Sequence, residues 1–309
     1  MSNDSRVLQT TSMSNSKRGY MLAALTVAIW SGFILMSRLG GANALTPYDL
    51  IALRFGTAAI ILIPLSIIWR PAQLFSWKMT GLMLTGGILY SVLVYCGIKF
   101  APAAHASILL PGLLPFETAL FSWLLQGERP SAERVLGLFV IAGGVSFLAL
   151  NAYTQGGQTW LGDIMLVGAS LSWALYTVLT RRWGISPRDA TMGGALLTAA
   201  IYLPIYFIFL PKNIASAPIS MVLWQAFYQG FLVVIVAMLL YMQAVALIGA
   251  TRMGSLMAMV PAISGVLAVP ILGEALPFSL IAGLFLVSLG AYLGSGAKLP
   301  ILRRTQCPT

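Results

Sequence analysis

Charged side chains are scarce in this sequence of 309 residues: 8% of the residues carry a charge, whereas 59% are apolar. Soluble globular proteins have about 25% charged and about 45–50% apolar residues. The 18 basic and 8 acidic residues cannot cover the surface of a soluble protein of this length, and the high apolar content also excludes a disordered chain. The sequence therefore predicts an integral membrane protein.

Residues that commonly build catalytic and metal sites are also scarce. The chain has one histidine and two cysteines, Cys96 and Cys307, which are too few for a His/Cys zinc site and too distant for a disulfide framework. Neither the Gly-x-x-x-x-Gly-Lys-Ser/Thr loop of ATPases nor the Gly-x-Ser-x-Gly turn of hydrolases is present. We therefore expect no enzyme activity, no cofactor and no metal site.

Long stretches without charge predict ten transmembrane helices in an all-α fold. A helix needs about 20 apolar residues to cross a bilayer, and it satisfies its own backbone hydrogen bonds in lipid. The stretches also lack the alternation of a membrane β-barrel. The predicted spans are residues 20–38, 47–69, 79–98, 103–125, 134–150, 161–180, 190–210, 219–247, 250–272 and 278–296.

Basic residues are distributed unevenly between the two sets of predicted loops. With the N-terminus inside, fourteen fall on the cytoplasmic side, and three, Arg38, Lys99 and Lys212, fall on the other. Short loops rich in Lys and Arg stay in the cytoplasm, so both termini are predicted to be cytoplasmic. The net charge of +10 is then a topology signal and not a clustered nucleic-acid-binding surface. We expect an inner (plasma) membrane protein in contact with the lipid bilayer and with no nucleic acid.

The start of the chain has a second interpretation, as a cleavable signal peptide. Lys17 and Arg18 precede an apolar stretch, and Ala42-Asn43-Ala44 follows it. The uncharged run from 19 to 37 is longer than the apolar region of such peptides, which is about 7–15 residues. This length favours a retained first helix, and N-terminal sequencing of the mature protein would decide.

The two halves of the sequence resemble each other. The aligned pairs are Pro115 with Pro261 and Gly127-Glu128 with Gly273-Glu274 at an offset of 146, Trp30 with Trp173 and Arg38 with Arg181 at 143, and Thr46-Pro47-Tyr48-Asp49 with Ser186-Pro187-Arg188-Asp189 at 140. Each half contains five predicted helices. An odd number makes the second half enter the membrane in the opposite sense, so the pattern predicts an inverted repeat.

The repeat predicts four regions. A cytoplasmic tail covers residues 1–19, the first five-helix repeat 20–150, the second, inverted repeat 151–297, and a cytoplasmic tail 298–309. Two such halves can rock about a site at the bilayer midplane, which is the basis of alternating access in many secondary transporters.

Several short motifs resemble one transporter family when they are taken in order and together with the repeat. They are Trp30-Ser31-Gly32, Arg54-Phe55, Ala101-Pro102-Ala103-Ala104, Pro115, Gly127-Glu128, Ser172-Trp173-Ala174-Leu175-Tyr176, Pro261 and Gly273-Glu274. Over residues 20–297 the chain resembles the drug/metabolite transporter superfamily, and specifically its EamA-type ten-helix members, which include bacterial amino-acid and metabolite exporters.

The resemblance implies a basket-like fold whose central cavity is lined mainly by helices 1, 3, 4, 6, 8 and 9. Two residues depart from similar sequences, because Glu117 and His105 stand where small or apolar residues are usual. Inference of the substrate from the family is therefore weakened at these two positions.

Glu117 is the strongest local signal, since an ionised side chain at the centre of a transmembrane helix costs about 2.5–3.5 kcal/mol. It either binds a cationic amine of the substrate, carries a proton, or is a neutral acid that bonds to a neighbour. Arg54 is the only predicted intramembrane base. It either has a binding role or pairs with Asp49 or a helix end near the outer interface.

Aromatic residues far from the ends of the predicted spans suggest a cavity, because interfacial belts place Trp and Tyr at the ends. An aromatic wall would stack apolar groups or attract an ammonium, although core packing is the alternative. Helix 8 adds polar residues, among which Gln225, Tyr228 and Gln229 share one face, and Gln243 suggests an inner gate. The candidate substrate-binding residues are Trp30, Tyr90, Tyr95, Glu117, Trp173, Tyr176, Gln225, Tyr228 and Gln243.

Three further features have both functional and structural readings. His105, at the outer start of helix 4, is either a vestibule or pH-sensing residue or a solvated interfacial one. Pro115 and Pro261 interrupt helix hydrogen bonding and are candidate hinges. Gly127-Glu128 and Gly273-Glu274 are expected to end one helix and to stabilise the N-terminus of the next.

The function expected from these observations is secondary transport by alternating access, with export of amino acids or similar small amphipathic metabolites by a monomer or homodimer. One buried acid among aromatics suits a molecule that has an amine and an apolar part. Alternatives are a permease for drugs, toxic compounds or nucleotide sugars, and a non-transporting sensor or lipid scramblase. Phosphorylated sugars are disfavoured because the predicted cavity helices offer few cations.

Overall fold

The computed structural model describes residues 3–71, 74–129, 131–155 and 159–294, and every regular element in these ranges is helical. Within them the chain forms ten helices. They are α1 Asn3–Asn43, α2 Pro47–Trp69, α3 Trp77–Phe100, α4 Ala103–Gln126, α5 Ala132–Gln155, α6 Thr159–Arg182, α7 Pro187–Phe209, α8 Ile219–Ile248, α9 Ala250–Met257 followed by Val260–Leu272, and α10 Phe278–Gly294.

Eight of the described helices, α1 to α4 and α6 to α9, are long and apolar enough to cross a membrane. Helix α10 is a shorter apolar helix of 17 residues. Large apolar side chains on the outside of the bundle are exposed, for example Ile60, Ile67 and Phe139. Because such side chains disfavour water, this surface suits lipid.

Helix α1 is longer than the predicted span 20–38. It begins at Asn3 and continues without a break to Asn43. The reason is local, since residues 3–18 contain neither proline nor glycine to interrupt a helix. The C-terminal tail expected at 298–309 lies outside the described residues.

Matching caps begin the second helix of each half. Thr46 accepts a hydrogen bond from the backbone N–H of Asp49 at 3.1 Å, and the Asp49 carboxylate accepts one from the N–H of Thr46 at 2.7 Å. At the start of α7, Ser186 accepts from the N–H of Asp189 at 3.0 Å. These caps satisfy backbone donors that the first helical turn leaves free, which explains why the Thr/Ser-Pro-x-Asp motif occurs twice.

Helix packing follows the same twofold pattern. Helix α1 packs on α8 and α9, while its counterpart α6 packs on α3 and α4. Helices α5 and α10, the last of each half, pack on each other through glycine. A Cβ on Gly137 would lie 2.6 Å from the carbonyl oxygen of Gly290, and one on Gly144 would lie 2.8 Å from that of Gly283. The two backbones are therefore in direct contact.

Two π-helical segments interrupt corresponding helices. Met83–Leu89 lies in α3 and Ala226–Val236 lies in α8, and their starts are 143 positions apart. A π segment widens the helix by about one residue per turn and is frequent at functional sites. Residues beyond each segment are thereby rotated relative to a regular α-helix.

The fourth helix of each half ends as predicted, but the aligned prolines lie at different places in the two helices. Gly127 and Gly273 have φ of 72° and 68° and end α4 and α9 in the left-handed conformation that glycine favours. Pro115 lies inside the continuous helix α4, whereas Pro261 lies at the first positions of Val260–Leu272, after a turn that divides α9. The two candidate hinges therefore stand in different backbone settings.

Candidate functional site

A buried polar network joins α1, α3 and α8. The hydroxyl of Tyr95 donates to Oε1 of Gln229 at 3.0 Å. Nε2 of Gln229 donates to the hydroxyl of Ser37 at 3.1 Å and to Oε1 of Gln225 at 3.3 Å. Gln225 in turn donates to the carbonyl of Met36 at 2.7 Å. All four polar side chains are buried, so helix 8 directs Gln225 and Gln229 to the interior and not to water.

Arg54 lies beside this network and is only 7% exposed. Its Cζ is 5.3 Å from the ring centre of Phe33, and its charge acts on the phenols of Tyr90 and Tyr95. Nε and Nη1 have no hydrogen-bond partner within the described residues. Arg54 is thus a buried cation with free donors.

The expected pair between Arg54 and Asp49 is absent from the ion pairs of the described chain. The Asp49 carboxylate instead accepts hydrogen bonds from the hydroxyl of Tyr206 at 2.6 Å and from the backbone N–H of Asn213 at 3.1 Å, besides its bond to the N–H of Thr46. These donors hold Asp49 at the start of α2, where it ties α2 to α7. The Asp49 alternative is therefore wrong.

Three predicted aromatic residues form one cluster between α3 and α6, here called the aromatic cluster: Tyr90, Trp173 and Tyr176. Ring centres are 4.7 Å apart for Tyr90 and Trp173 and 4.9 Å apart for Trp173 and Tyr176. Gly86 allows the close approach, because a Cβ there would lie 2.4 Å from the ring of Tyr176. The structure therefore brings these three candidates together.

Glu117 is buried in α4 with 3% exposure, and its Oε2 has no hydrogen-bond partner within the described chain. Ser170 of α6 lies beside it, but the Ser170 hydroxyl donates to the carbonyl of Leu110 at 3.1 Å. Ser170 is three residues before Trp173, so both lie on one side of α6. Glu117 thus offers a free acceptor facing the side of α6 that also carries Trp173.

Trp30 and Tyr228 lie at a second contact, between α1 and α8. Trp30 stacks on Tyr241 with ring centres 5.4 Å apart. The hydroxyl of Tyr228 donates to the carbonyl of Ile29 at 2.9 Å and fits against Gly32, where a Cβ would leave no room for it. The stacking of Trp30 on Tyr241 of α8 corresponds to the contact of Trp173 with Tyr90 of α3 in the other half.

Two of the candidate residues are placed elsewhere. Gln243 is exposed and lies fourteen residues beyond Gln229 on α8, so the structure does not bring it into the polar network. His105 is fully buried, and its Nδ1 lies 2.9 Å from Oδ1 of Asp163. The solvated interfacial alternative for His105 is therefore wrong, because the packing of α4 on α6 encloses it.

The glutamates that follow α4 and α9 do not act on the next helix as expected. Glu128 forms an ion pair with Arg181 at 2.7 Å, and Glu274 forms one with Arg38 at 2.9 Å. Glu274 also accepts a hydrogen bond at 2.7 Å from the backbone N–H of Ala103, at the start of α4. Each glutamate therefore binds the other half of the chain.

The candidate binding residues omit two members of the polar network, Gln229 and Ser37. The sequence analysis placed Gln229 on one face of helix 8 with Gln225, four residues earlier, but did not name it as a binding residue. Ser37 carries no such signal, because a single serine in an apolar helix commonly bonds to its own backbone, as Ser37 also does to the carbonyl of Phe33.

Comparisons with known proteins agree with the helical architecture. The model of the EamA-like transporter family matches residues 17–150 and 160–296. One solved crystal structure of a protein superposes with a TM-score of 0.61, covering 93% of this chain and 99% of its own at 21% identity. This similarity supports the same fold.

Curated relatives of the chain are transporters by name. The chain is 24% identical over 267 residues to uncharacterized transporter YyaM of Bacillus subtilis, which covers 81% of this chain and 85% of that protein. It is 25% identical over 277 residues to uncharacterized transporter YdeK of the same species, covering 87% and 94%. Aromatic amino acid exporter YddG of Ancylobacter novellus is 28% identical over 203 residues, covering 62% and 68%.

Proposed function

Because this chain belongs to the EamA-like transporter family, we propose that it exports amino acids or similar small amphipathic metabolites by alternating access. The chain is a multi-pass membrane transporter and not an enzyme. The substrate, the direction of transport and the mechanism are the proposal.

The proposed arrangement has ten transmembrane helices in two inverted repeats, residues 20–150 and 151–297, with both termini in the cytoplasm. Uneven Lys and Arg content of the loops supports this orientation. Helix contacts that recur between the halves support rocking of one half against the other, about a site near the bilayer midplane. We place the protein in the plasma membrane, as a monomer or homodimer.

The observation that carries the substrate proposal is the unpartnered Oε2 of Glu117 near the aromatic cluster. A carboxylate oxygen without a partner in an apolar bundle favours a cationic group, and an aromatic wall favours both an apolar side chain and an ammonium. An amino acid with an apolar side chain provides both groups. The name of the relative YddG, an aromatic amino acid exporter, supports the same class.

Counterflow in proteoliposomes tests the proposal directly. Vesicles that contain the purified protein are loaded with an unlabelled amino acid, and uptake of labelled phenylalanine, leucine, lysine and alanine is measured. We expect uptake of phenylalanine and leucine by the wild type, and at least a tenfold loss in Glu117→Gln. Glu133→Gln is the matched control, because Glu133 is an exposed carboxylate in the first turn of α5.

The outcomes separate the alternatives. Equal rates for wild type and Glu117→Gln across pH would make Glu117 structural. Flux of drugs or nucleotide sugars without flux of amino acids would replace the substrate class, and lipid flipping without metabolite flux would indicate a scramblase. Direction is tested in expressing cells loaded with labelled phenylalanine, which should lose the label faster than cells without the protein.

A further inference from the structure

The guanidinium of Arg54 is a buried charge that has no ion-pair partner in the described interior. A guanidinium keeps its charge inside proteins, and a charge at membrane depth is normally paired or bonded to backbone carbonyls. The three ion pairs of the described chain use Arg38, His105 and Arg181 and leave Arg54 out. The aromatic faces of Phe33 and Phe55, at 5.3 and 5.7 Å, compensate only part of this cost.

The polar groups around Arg54 bond to one another, and the Tyr95 hydroxyl also lies against the guanidinium. On α3, the Tyr95 hydroxyl donates to Gln229. On α1 and α8, Ser37 and Gln225 accept the two hydrogen bonds of the Gln229 amide. The polar network thus satisfies its own members, while Nε and Nη1 of Arg54 keep free N–H groups. An acceptor from outside the chain would complete the site.

We propose that Arg54 binds the carboxylate of the transported molecule. This inference rests on the proposed function and specifies its substrate class as amino acids that carry a free carboxylate. Carboxylate oxygens accept charge-assisted hydrogen bonds from a guanidinium, and such bonds are about twice as strong as neutral ones. The carboxylate also supplies the counter-charge that Arg54 lacks among the ion pairs of the described residues.

Position in the fold supports a ligand role. Arg54 lies seven residues after the start of α2, which is about 10 Å along the helix, where α2 meets α1, α3 and α8. The backbone of α8 is close there, because a Cβ on Gly230 would lie 2.9 Å from the carbonyl oxygen of Arg54. A relative shift of α1 or α8 would open this point, since side chains of both enclose it.

A carboxylate fits this site better than a phosphate. Two other basic residues lie near the same ends of α1 and α3, but neither is available to this site. Arg38 pairs with Glu274, and Lys99 is exposed. One guanidinium matches the single charge of a carboxylate, whereas phosphate groups are typically held by several cations or a helix N-terminus. A phosphate ester is therefore the contrasting ligand in the test.

The test compares two ligands that differ only at the carboxylate. Phenylalanine and phenylalaninamide share the ring and the ammonium, and the amide replaces the carboxylate by a neutral group. For both ligands we measure the concentration-dependent rise of the protein's melting temperature in detergent and the inhibition of amino-acid counterflow. Phenyl phosphate and 3-phenylpropionate are measured as anionic probes. The wild type should prefer phenylalanine to its amide at least tenfold.

Variants assign the preference to one side chain. Arg54→Gln should bind phenylalanine at least tenfold more weakly while its affinity for phenylalaninamide stays unchanged, and Arg54→Lys should recover part of the preference because it restores the charge without the planar fork. Arg188→Gln is the control, since Arg188 is an exposed arginine that stacks on Trp69. Gel filtration verifies that each variant is folded.

The inference is overturned if the wild type does not distinguish phenylalanine from its amide, or if Arg54→Gln weakens both ligands equally. A preference for phenyl phosphate over 3-phenylpropionate would also overturn it. Failure of the proposed function looks different, because the wild type then carries no amino acid in counterflow. In that case 3-phenylpropionate decides: a rise of the melting temperature that Arg54→Gln abolishes supports the carboxylate site, and no rise in the wild type refutes it.

Discussion

Arg38 and Glu274 join the two halves of the chain, with Nε of the arginine 2.9 Å from Oε1 of the glutamate. The equivalent residues, offset by 143 and 146 positions, form a second pair, in which Nη2 of Arg181 lies 2.7 Å from Oε1 of Glu128. Each pair connects the first helix of one half to the end of the fourth helix of the other. The predicted topology places the two pairs on opposite membrane faces.

The two pairs differ in their surroundings. The side chains of Arg38 and Glu274 are 25% and 17% exposed, and Arg38 also donates to the carbonyl of Ile98 at 2.7 Å. The side chains of Arg181 and Glu128 are 66% and 41% exposed. Water and salt screen exposed pairs more strongly. The pair of Arg38 and Glu274, at the predicted outer face, should therefore contribute more to the stability of the fold.

Glu274→Gln should therefore lower the free energy of unfolding by about 1–3 kcal/mol, because a partly buried guanidinium loses its charged partner. Glu128→Gln should cost about 0.2–1 kcal/mol at most, as exposed pairs do. Unfolding in SDS measures both values. In addition, spin-label distances across the predicted outer face should lengthen in Glu274→Gln, and unchanged distances would show that this pair does not keep that face closed.

Gly144→Ala should destabilise the contact between α5 and α10. The added Cβ would lie 2.8 Å from the carbonyl oxygen of Gly283, which cannot move aside as a flexible side chain does. We expect a loss of about 1–3 kcal/mol, as for other overpacked interiors. Gly143→Ala is the control one position away, since the nearest atom, of Leu286, would be 3.9 Å distant. Equal melting temperatures for the two variants would contradict the close backbone contact.

Tyr206→Phe should weaken the attachment of α7 to α2. The Tyr206 hydroxyl donates to the buried carboxylate of Asp49 at 2.6 Å, and hydrogen bonds to charged groups contribute about 1.5–3 kcal/mol. Tyr202→Phe, one turn earlier, removes only a bond to the carbonyl of Tyr48 at 3.1 Å and should cost about 0.5–1.5 kcal/mol. The order of the two losses, measured by SDS unfolding, is the test.

Trp173→Leu should reduce selectivity for aromatic over small amino acids, because it removes the central ring of the aromatic cluster. Trp160→Leu on the same helix is the control, since Trp160 is 59% exposed on the outside of the bundle. In counterflow with phenylalanine and alanine in competition, the selectivity for phenylalanine over alanine should fall at least fivefold in Trp173→Leu and stay constant in Trp160→Leu. A parallel fall in both would indicate a general effect on folding.

Local signals predicted much of the fold. Uncharged runs located most helices to within a few residues, although α1 begins well before its predicted start. The paired motifs beginning at Thr46 and Ser186 marked true helix starts. Gly127 and Gly273 ended helices as expected. Each of these features depends on residues close together in the chain, so sequence alone carries the information.

Partner choice was less predictable, because it depends on which helices meet. The sequence did not indicate that Asp49 would accept a hydrogen bond from Tyr206, nor that Asp163 would contact His105. The π segment Ala226–Val236 is a second feature that the sequence did not indicate. Each wide turn changes the face on which later residues of α8 lie.

The glycines between α5 and α10 form a self-complementary interface. Gly137 meets Gly290 as Gly283 meets Gly144, and exchanging the two halves converts one contact into the other. This reciprocity is the property of an isologous dimer interface. Two half-length chains, each carrying one such helix, could therefore use the same backbone contact to associate in antiparallel fashion. The full-length chain contains within itself the geometry of a homodimer.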